Sequence, residues 1–479
     1  MDITVADVVN QITAVAPANV LLLCGMVILA LGLIPTSASG EARRNLWGAL
    51  SLLSIGLAGV LAMVAEPVEG ATTYWLFVDD ALTRRGVWLT LLAGGLIVLV
   101  GWEQVIPRRA ADYYGWLLLL LSGLIYTAGA NDLTSLFLGL ELVSLPTTVL
   151  LGVSRVDDSG REATLKYFTL AAFASGFFLL GCSYLYGVAG STALPEIVKE
   201  IVAQRTPFCT LAVALAVMGL AFRVTAVPFH FYAPDVFSGT TLPLAAGLSF
   251  IPKLAGFLGL VRLLGGYQLI GDFPSAVGVL ILIVATLTMT IGNCAALVQR
   301  NFRRLMAYSS VAHSGYLLLG LVAIQRAGGQ VTPIFDYLAA YLVMTIGVFA
   351  VVAAIKPDEV GAEDLTLFNG LYRRRPLAAV ALAIALLSLT GIPLTAGFWA
   401  KFQIFVSSIS AGSTPILVVA VIMAINAAIG AVVYLSIIGR MFQTDAAAQP
   451  QLASDRPIWS TSIAAFVCSA LTIAWFFAP

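Results

Sequence analysis

Charge is what this sequence has least of. Lys, Arg, Asp and Glu make up 10% of its 479 residues, against roughly 25% in ordinary soluble domains. The 25 basic residues balance the 25 acidic ones, so no global field attracts nucleic acid or an acidic partner. Histidine occurs twice and cysteine five times. The cysteines lie far apart and form no CxxC pair, so neither a disulfide framework nor a zinc or iron–sulfur site is suggested. No GxG triplet occurs, which removes the usual Gly-rich nucleotide fingerprints. No basic stretch precedes the first apolar run near Asn19, so that run reads as a true span, not a cleaved leader.

What is abundant is apolar sequence, 60% of the chain. This defines an integral membrane protein and excludes a soluble enzyme. Runs long enough to cross a bilayer fall near 19–35, 46–64, 86–102, 114–130, 133–152, 166–188, 207–227, 241–263, 276–298, 304–323, 334–355, 377–408, 414–438 and 458–477. That predicts an all-α polytopic fold of about 14 transmembrane helices. Loops alternate in charge. The loops after helices 1, 3, 5, 9, 11 and 13 carry sixteen Lys and Arg, and the opposite face carries five: Arg84, Arg85, Lys199, Arg205 and Arg326. The positive-inside rule places the first set in the cytoplasm and both termini on the outer side.

Four basic residues remain. Arg262 stands at a helix end and is expected to snorkel. Arg223, Lys253 and Lys401 lie inside apolar runs, as does Glu141 in "LTSLFLGLELVSLPTTVLLG". An unpaired charge near the bilayer centre costs at least about 2.5 kcal/mol, so such residues pair with one another or serve ion and proton pathways. Four of them on four helices predict a polar line across the bundle. His313, among Ser309, Ser310 and Ser314, adds a group that titrates near neutral pH and suits a proton relay. Prolines accompany the charges: Pro146, Pro228 and Pro252 would free the carbonyls of Leu142, Val224 and Leu248 inside helices. Two runs should be broken outright. The seventh continues into "AVPFHFYAPDVFSGTTLPL", and the twelfth contains "LSLTGIPLTAGFWAKF". Interruptions at matching places in two halves suggest an inverted repeat with its site at the breaks.

The stretches "NDLTSLFLGLELVSLP", "REATLKYFTLAAFASGFFLLG", "VPFHFYAPDVFSGT", "RNFRRLMAYSSVAHSGYLLLG" and "SLTGIPLTAGFWAKF" together resemble the antiporter-like subunits of proton-pumping NADH–quinone oxidoreductase, respiratory complex I. The likeness is greatest to the subunit N type, and the lack of a long lateral helix after residue 477 argues against the L type. The resemblance implies two inverted five-helix repeats, helices 4–8 and 9–13, with helices 7 and 12 discontinuous. On this chain the repeats would cover residues 111–265 and 266–440, preceded by a three-helix segment over residues 1–110 and followed by a C-terminal helix within 441–479. The resemblance assigns the proton path to Glu141, Arg223, Lys253, His313 and Lys401. It also implies a bacterial inner membrane, and contact with lipid and with neighbouring antiporter-like subunits. No cofactor is expected in this chain, since NADH, FMN, iron–sulfur clusters and quinone would be handled elsewhere in the complex.

Where Arg223 stands, the family has lysine. Arginine hardly gives up its proton, so Arg223 is expected to act as a fixed positive partner that tunes Glu141. The proton would move through water, Lys253, His313 and Lys401. Two alternatives share the features above: a cation/proton antiporter subunit, and a scaffold of the same complex that translocates nothing.

Overall fold

The computed structural model describes residues 5–34, 39–64, 72–73, 76–264, 275–326, 331–355, 364–443 and 459–477. Lys356 and Arg456, counted above among the inner-face charges, lie outside the described residues. The described chain is almost wholly helical. In order, the helices are α1 (Val5–Gly32), α2 (Gly40–Val64), α3 (Ala81–Gly101), α4 (Ala110–Gly129), α5 (Leu133–Ser154), α6 (Asp158–Ala189), α7 (Leu194–Gln204), α8 (Pro207–Arg223) and α9 (Ala233–Ser238). They continue with α10 (Leu242–Leu263), α11 (Ser275–Leu297), α12 (Phe302–Arg326), α13 (Thr332–Ile355), α14 (Leu371–Arg374), α15 (Pro376–Thr390), α16 (Ala396–Ser410), α17 (Thr414–Met441) and α18 (Trp459–Phe477). Among the described residues, ten helices are long and apolar enough to cross a membrane, and α8, α15 and α18 are shorter apolar helices.

The seventh and twelfth predicted runs are each interrupted. Helix α8 ends at Arg223, irregular chain follows, and α9 supplies one and a half turns before Gly239. Helices α15 and α16 are separated by Gly391–Thr395. One expectation changes here. Pro228 does not sit in a helix and frees no helical carbonyl, because α8 has already stopped and Thr225 takes a positive φ of 55°. Pro146 and Pro252 do lie within α5 and α10. Helix α7 was not foreseen. Leu194, Ile197, Val198 and Ile201 are its buried stripe, at the spacing of one helical face. Its eleven residues rise only about 16 Å, too short to span.

Contacts divide the chain into two compact units. One comprises Met1–Val98, Val105–Val224 and Ile251–Val277; the other comprises Leu99–Gln104, Thr225–Phe250 and Gly278–Pro479. In the first, α4 packs against α1 and α5, and α6 against α8. Small residues let these backbones approach closely, as expected where apolar burial gives no preference for helix over lipid. A Cβ on Gly123 of α4 would stand 2.7 Å from the Leu142 carbonyl carbon of α5, and one on Gly139 of α5 would stand 2.8 Å from Thr127 Oγ1 of α4. This crossing fixes the segment of α5 that carries Glu141. It also covers the Leu142 carbonyl that Pro146 frees. In the second unit α13 lies deepest, with α15, α16 and α18 against it, while α12 packs on α9 and α16.

Burial is uneven among the helices. The apolar stretch of α10 is wholly buried, and those of α12 and α13 nearly so, whereas α1, α2, α6 and α17 bury only 28–39% of theirs. Exposed Leu, Phe and Val on the latter suit lipid or partner helices, not water. Lys253 and His313 stand on two of the most buried helices, α10 and α12, whereas Asn426 stands on the buried face of α17.

Arg262 does not snorkel. Its Nη1 and Nη2 each stand 2.7 Å from an Asp80 carboxylate oxygen; Nη2 also donates to Thr83 Oγ1 and Nε to the Ala128 carbonyl, both at 2.7 Å. This bidentate pair ties α10 to the start of α3 and the end of α4. The planar guanidinium fork suits four acceptors at once, which a snorkelling side chain would forgo.

Candidate functional site

The first unit brings Glu141 and Arg223 together. Arg223 Nη2 lies 2.9 Å from Glu141 Oε1, and Nη1 donates to the Leu140 carbonyl at 2.8 Å. Ser175 Oγ of α6 donates to the same Glu141 oxygen at 2.6 Å. The Arg223 side chain is 7% exposed and that of Glu141 21%, so the carboxylate lies at the margin of the unit. Arg223 occupies this place because it is the last residue of α8, where the interrupted helix gives up its regular path. A cation is also favoured there by the negative end of the helix dipole.

Lys253 is buried on α10, next after Pro252. One turn further along, a Cβ on Gly256 would come within 3.2 Å of Arg223 Cβ and 2.5 Å of Val224 Cγ1. Gly259 abuts Leu220 of α8 and Leu136 of α5 in the same way. The half of α10 that carries Lys253 therefore packs on both helices that hold the ion pair.

The second unit brings His313 and Lys401 together. His313, 1% exposed on α12, has its Nδ1 2.7 Å from the Tyr337 hydroxyl and its Nε2 3.4 Å from the Tyr434 hydroxyl. Tyr434 in turn shares a 2.5 Å hydrogen bond with Ser309. The rings of Tyr316, Tyr337 and Tyr341 surround the imidazole, with centroids 5.0–5.9 Å away. Lys401 points back from α16 to the end of α15. Its Nζ donates to the Leu389 carbonyl at 2.7 Å and to the Thr390 carbonyl at 3.0 Å. These carbonyls lose their helical partners because Gly391, at φ +87°, turns the chain out of the helix. An ammonium at a helix C-terminus satisfies them and complements the dipole. The face of Tyr316 lies 5.5 Å from Nζ.

The ends of the broken helix are also tied. In the second unit Arg304 Nη1 lies 2.7 Å from Asp235 Oδ1 of α9, and Arg303 donates to the Thr240 carbonyl. The sequence reading did not single out Ser175, the four tyrosines around His313 and Lys401, or the amides Asn293 and Asn426. The amides carried a signal, since each stands inside an otherwise apolar run. The tyrosines carried little, because an aromatic ring in an apolar run reads as packing. Among the described residues no three of His, Cys, Asp and Glu gather as a metal site would require.

A polytopic helical bundle with two interrupted helices, an ion pair at one break and a lysine at the other fits a membrane subunit of the antiporter-like class. The chain belongs to the family described as NADH:quinone oxidoreductase/Mrp antiporter, TM, which matches residues 130–427. Within it, the chain is an antiporter-like subunit of NADH–quinone oxidoreductase. It is 36% identical over 427 residues to NADH-quinone oxidoreductase subunit N 2 of Roseiflexus castenholzii, covering 84% of each chain. It is also 36% identical over 442 residues to subunit N of Geobacillus kaustophilus, covering 89% of this chain and 87% of that one. A chain of respiratory complex I from Thermus thermophilus superimposes with a TM-score of 0.81 at 29% identity, covering 97% of both. A chain of the Mrp complex from Dietzia sp. shares the fold at a TM-score of 0.82 and 20% identity, covering 98% of this chain and 94% of that one.

Proposed function

We propose that this subunit translocates protons, driven by electron transfer elsewhere in the oxidoreductase, through Glu141, Arg223, Lys253, His313 and Lys401. The observation that carries the reading is the 2.9 Å pair of half-buried Glu141 and buried Arg223, packed against the helix that holds Lys253. A push on Glu141 that parts it from Arg223 leaves the guanidinium unneutralised. Its field then raises the free energy of a proton on Lys253, since like charges in a low-dielectric interior repel, the more so the closer they stand. The proton is handed on to His313, whose two ring nitrogens face hydroxyls, and then to Lys401 at the second helix break. Arg223 keeps its own proton throughout.

The chain works with no redox centre of its own, in a bacterial inner membrane, with its termini on the outer side and other antiporter-like subunits beside it. The charge asymmetry of the loops and the family's place in a multi-subunit complex support this. The test is Lys253→Ala in the assembled complex, with proton uptake by inverted vesicles measured against NADH oxidation. Loss of uptake with continued oxidation is expected. Unchanged stoichiometry would favour a scaffold, and uptake that requires sodium would favour cation/proton antiport.

A further inference from the structure

The His313–Lys401 cluster holds an aromatic ring between its two ionisable groups. Tyr316, 2% exposed on α12, presents its face to Lys401 Nζ at 5.5 Å, and its centroid lies 5.6 Å from that of His313 at an interplanar angle of 77°. The attraction of a cation to an aromatic face is significant within about 6 Å of the centroid and weakens beyond it, so the 5.5 Å contact depends on where the ring is held. Something must hold the ring in place.

Asn293 of α11 does so. Its Nδ2 donates to the Tyr316 hydroxyl at 2.8 Å and to the Met289 carbonyl at 2.8 Å. Its amide approaches Asn426 Oδ1 of α17 at 3.5 Å. Asn426 is itself held, donating to Thr290 Oγ1 at 3.1 Å and to the Ile422 carbonyl at 3.0 Å. Both amides are at most 3% exposed. Burying two primary amides in apolar helices is costly unless each finds partners. Here Asn426 lies against Asn293, and Asn293 reaches the Tyr316 hydroxyl. Holding the hydroxyl oxygen at one end and the backbone at the other fixes the axis of the ring, and with it the distance of its centroid from Nζ, while close packing around a side chain 2% exposed limits its turn about that axis.

We propose that Asn293 and Tyr316 are a positioning pair, which seats the Lys401 ammonium at the helix break and sets its distance from His313. The inference rests on the reading of Lys401 and His313 as proton stations. Lys401 spends two of its three donors on Leu389 and Thr390, and the ring keeps it there between transfers. Neither Asn293 nor Tyr316 carries the proton.

The test is a double-mutant cycle in the assembled complex, read as proton uptake at a fixed rate of NADH oxidation in inverted vesicles. Asn293→Leu and Tyr316→Phe each remove the Asn293–Tyr316 hydrogen bond while nearly conserving volume, and each should lower uptake about two- to tenfold, the range one net hydrogen bond supports. The double variant should be no worse than Asn293→Leu alone, because that substitution already removes the contact that Tyr316→Phe deletes. Tyr316→Leu, which also removes the ring, should approach Lys401→Ala. Losses that multiply in the double variant would overturn the proposal. So would wild-type uptake in Tyr316→Leu while Lys401→Ala is inactive. If Lys401→Ala itself pumps normally, the station reading falls, and the positioning role falls with it. Should Tyr316→Leu not assemble, the cycle at Asn293 and Tyr316→Phe decides alone.

Discussion

The Glu141–Arg223 pair gives the sharpest prediction. Unit charges 2.9 Å apart attract by about 6 kcal/mol at an effective dielectric near 20. Most of that is spent on drawing both charges out of water. The useful quantity is therefore the asymmetry: removing one partner strands the other, at about 3–5 kcal/mol for a buried pair. Glu141 retains 21% exposure, so the lower end applies, and about 3 kcal/mol changes a population roughly 150-fold. Arg223→Met should cut proton uptake at least about tenfold in complexes that still assemble and oxidise NADH. Combining it with Glu141→Gln should restore assembly and thermal stability but not uptake, because the stranded charge is gone while the switch stays absent. Arg223→Lys is the discriminating variant. It keeps the charge but replaces a fork on two acceptors, the Leu140 carbonyl and Glu141 Oε1, with one nitrogen. One charge-assisted hydrogen bond, worth about 1.5–3 kcal/mol, is weakened, and uptake should stay within about threefold of the original. The assay is dye-reported acidification of inverted vesicles, normalised to NADH:quinone turnover. A several-fold gain in protons per electron with Arg223→Lys would refute the fixed-partner role.

Three further outcomes are expected. Asp80→Ala should lower stability by about 3 kcal/mol, because it strands Arg262, which is only 10% exposed; the midpoint of thermal unfolding in detergent reports it. Burial opposes ionisation of Asp80, but the hydrogen bond and charge of Arg262 outweigh it and hold the carboxyl below its usual range. A carboxylate depressed in this way stabilises the fold above its unfolded pKa of about 3.9, and that contribution is lost as pH falls through the folded value; the midpoint should therefore drop steeply below about pH 4, and less so in Asp80→Asn. Gly391→Ala should cost roughly 1–2 kcal/mol, because φ is +87° there, and should reduce proton uptake, because the carbonyls that seat Lys401 depend on that turn.

Much of this was written locally. Apolar runs of bilayer length mark helices wherever they occur, because a backbone in lipid must satisfy its own hydrogen bonds. The two breaks were equally legible, in Gly391, Pro393 and Gly397 and in Pro228, Pro234, Gly239 and Pro243 after Arg223, since several helix-weakening residues close together favour a break where a lone Pro146 or Pro252 is accommodated. The site charges stood out for the same reason, as ionisable groups are expensive in that surrounding. Amphipathic α7 was also there to be seen, in the spacing of Leu194, Ile197, Val198 and Ile201.

Partnership was not legible. That Arg223 meets Glu141, 82 residues away, depends on α8 stopping where α5 passes. That Arg262 grips Asp80 instead of reaching for the surface depends on three helix ends meeting. The ring of tyrosines around His313, and the amides behind Tyr316, come from α11, α12, α13 and the distant α17, whose Tyr434 is 121 residues from His313. A single segment's sequence sets its own period and its own breaks. Which polar atoms end up within hydrogen-bonding reach is decided by helix crossings at residues such as Gly123 and Gly256, and those exist only once the bundle has packed.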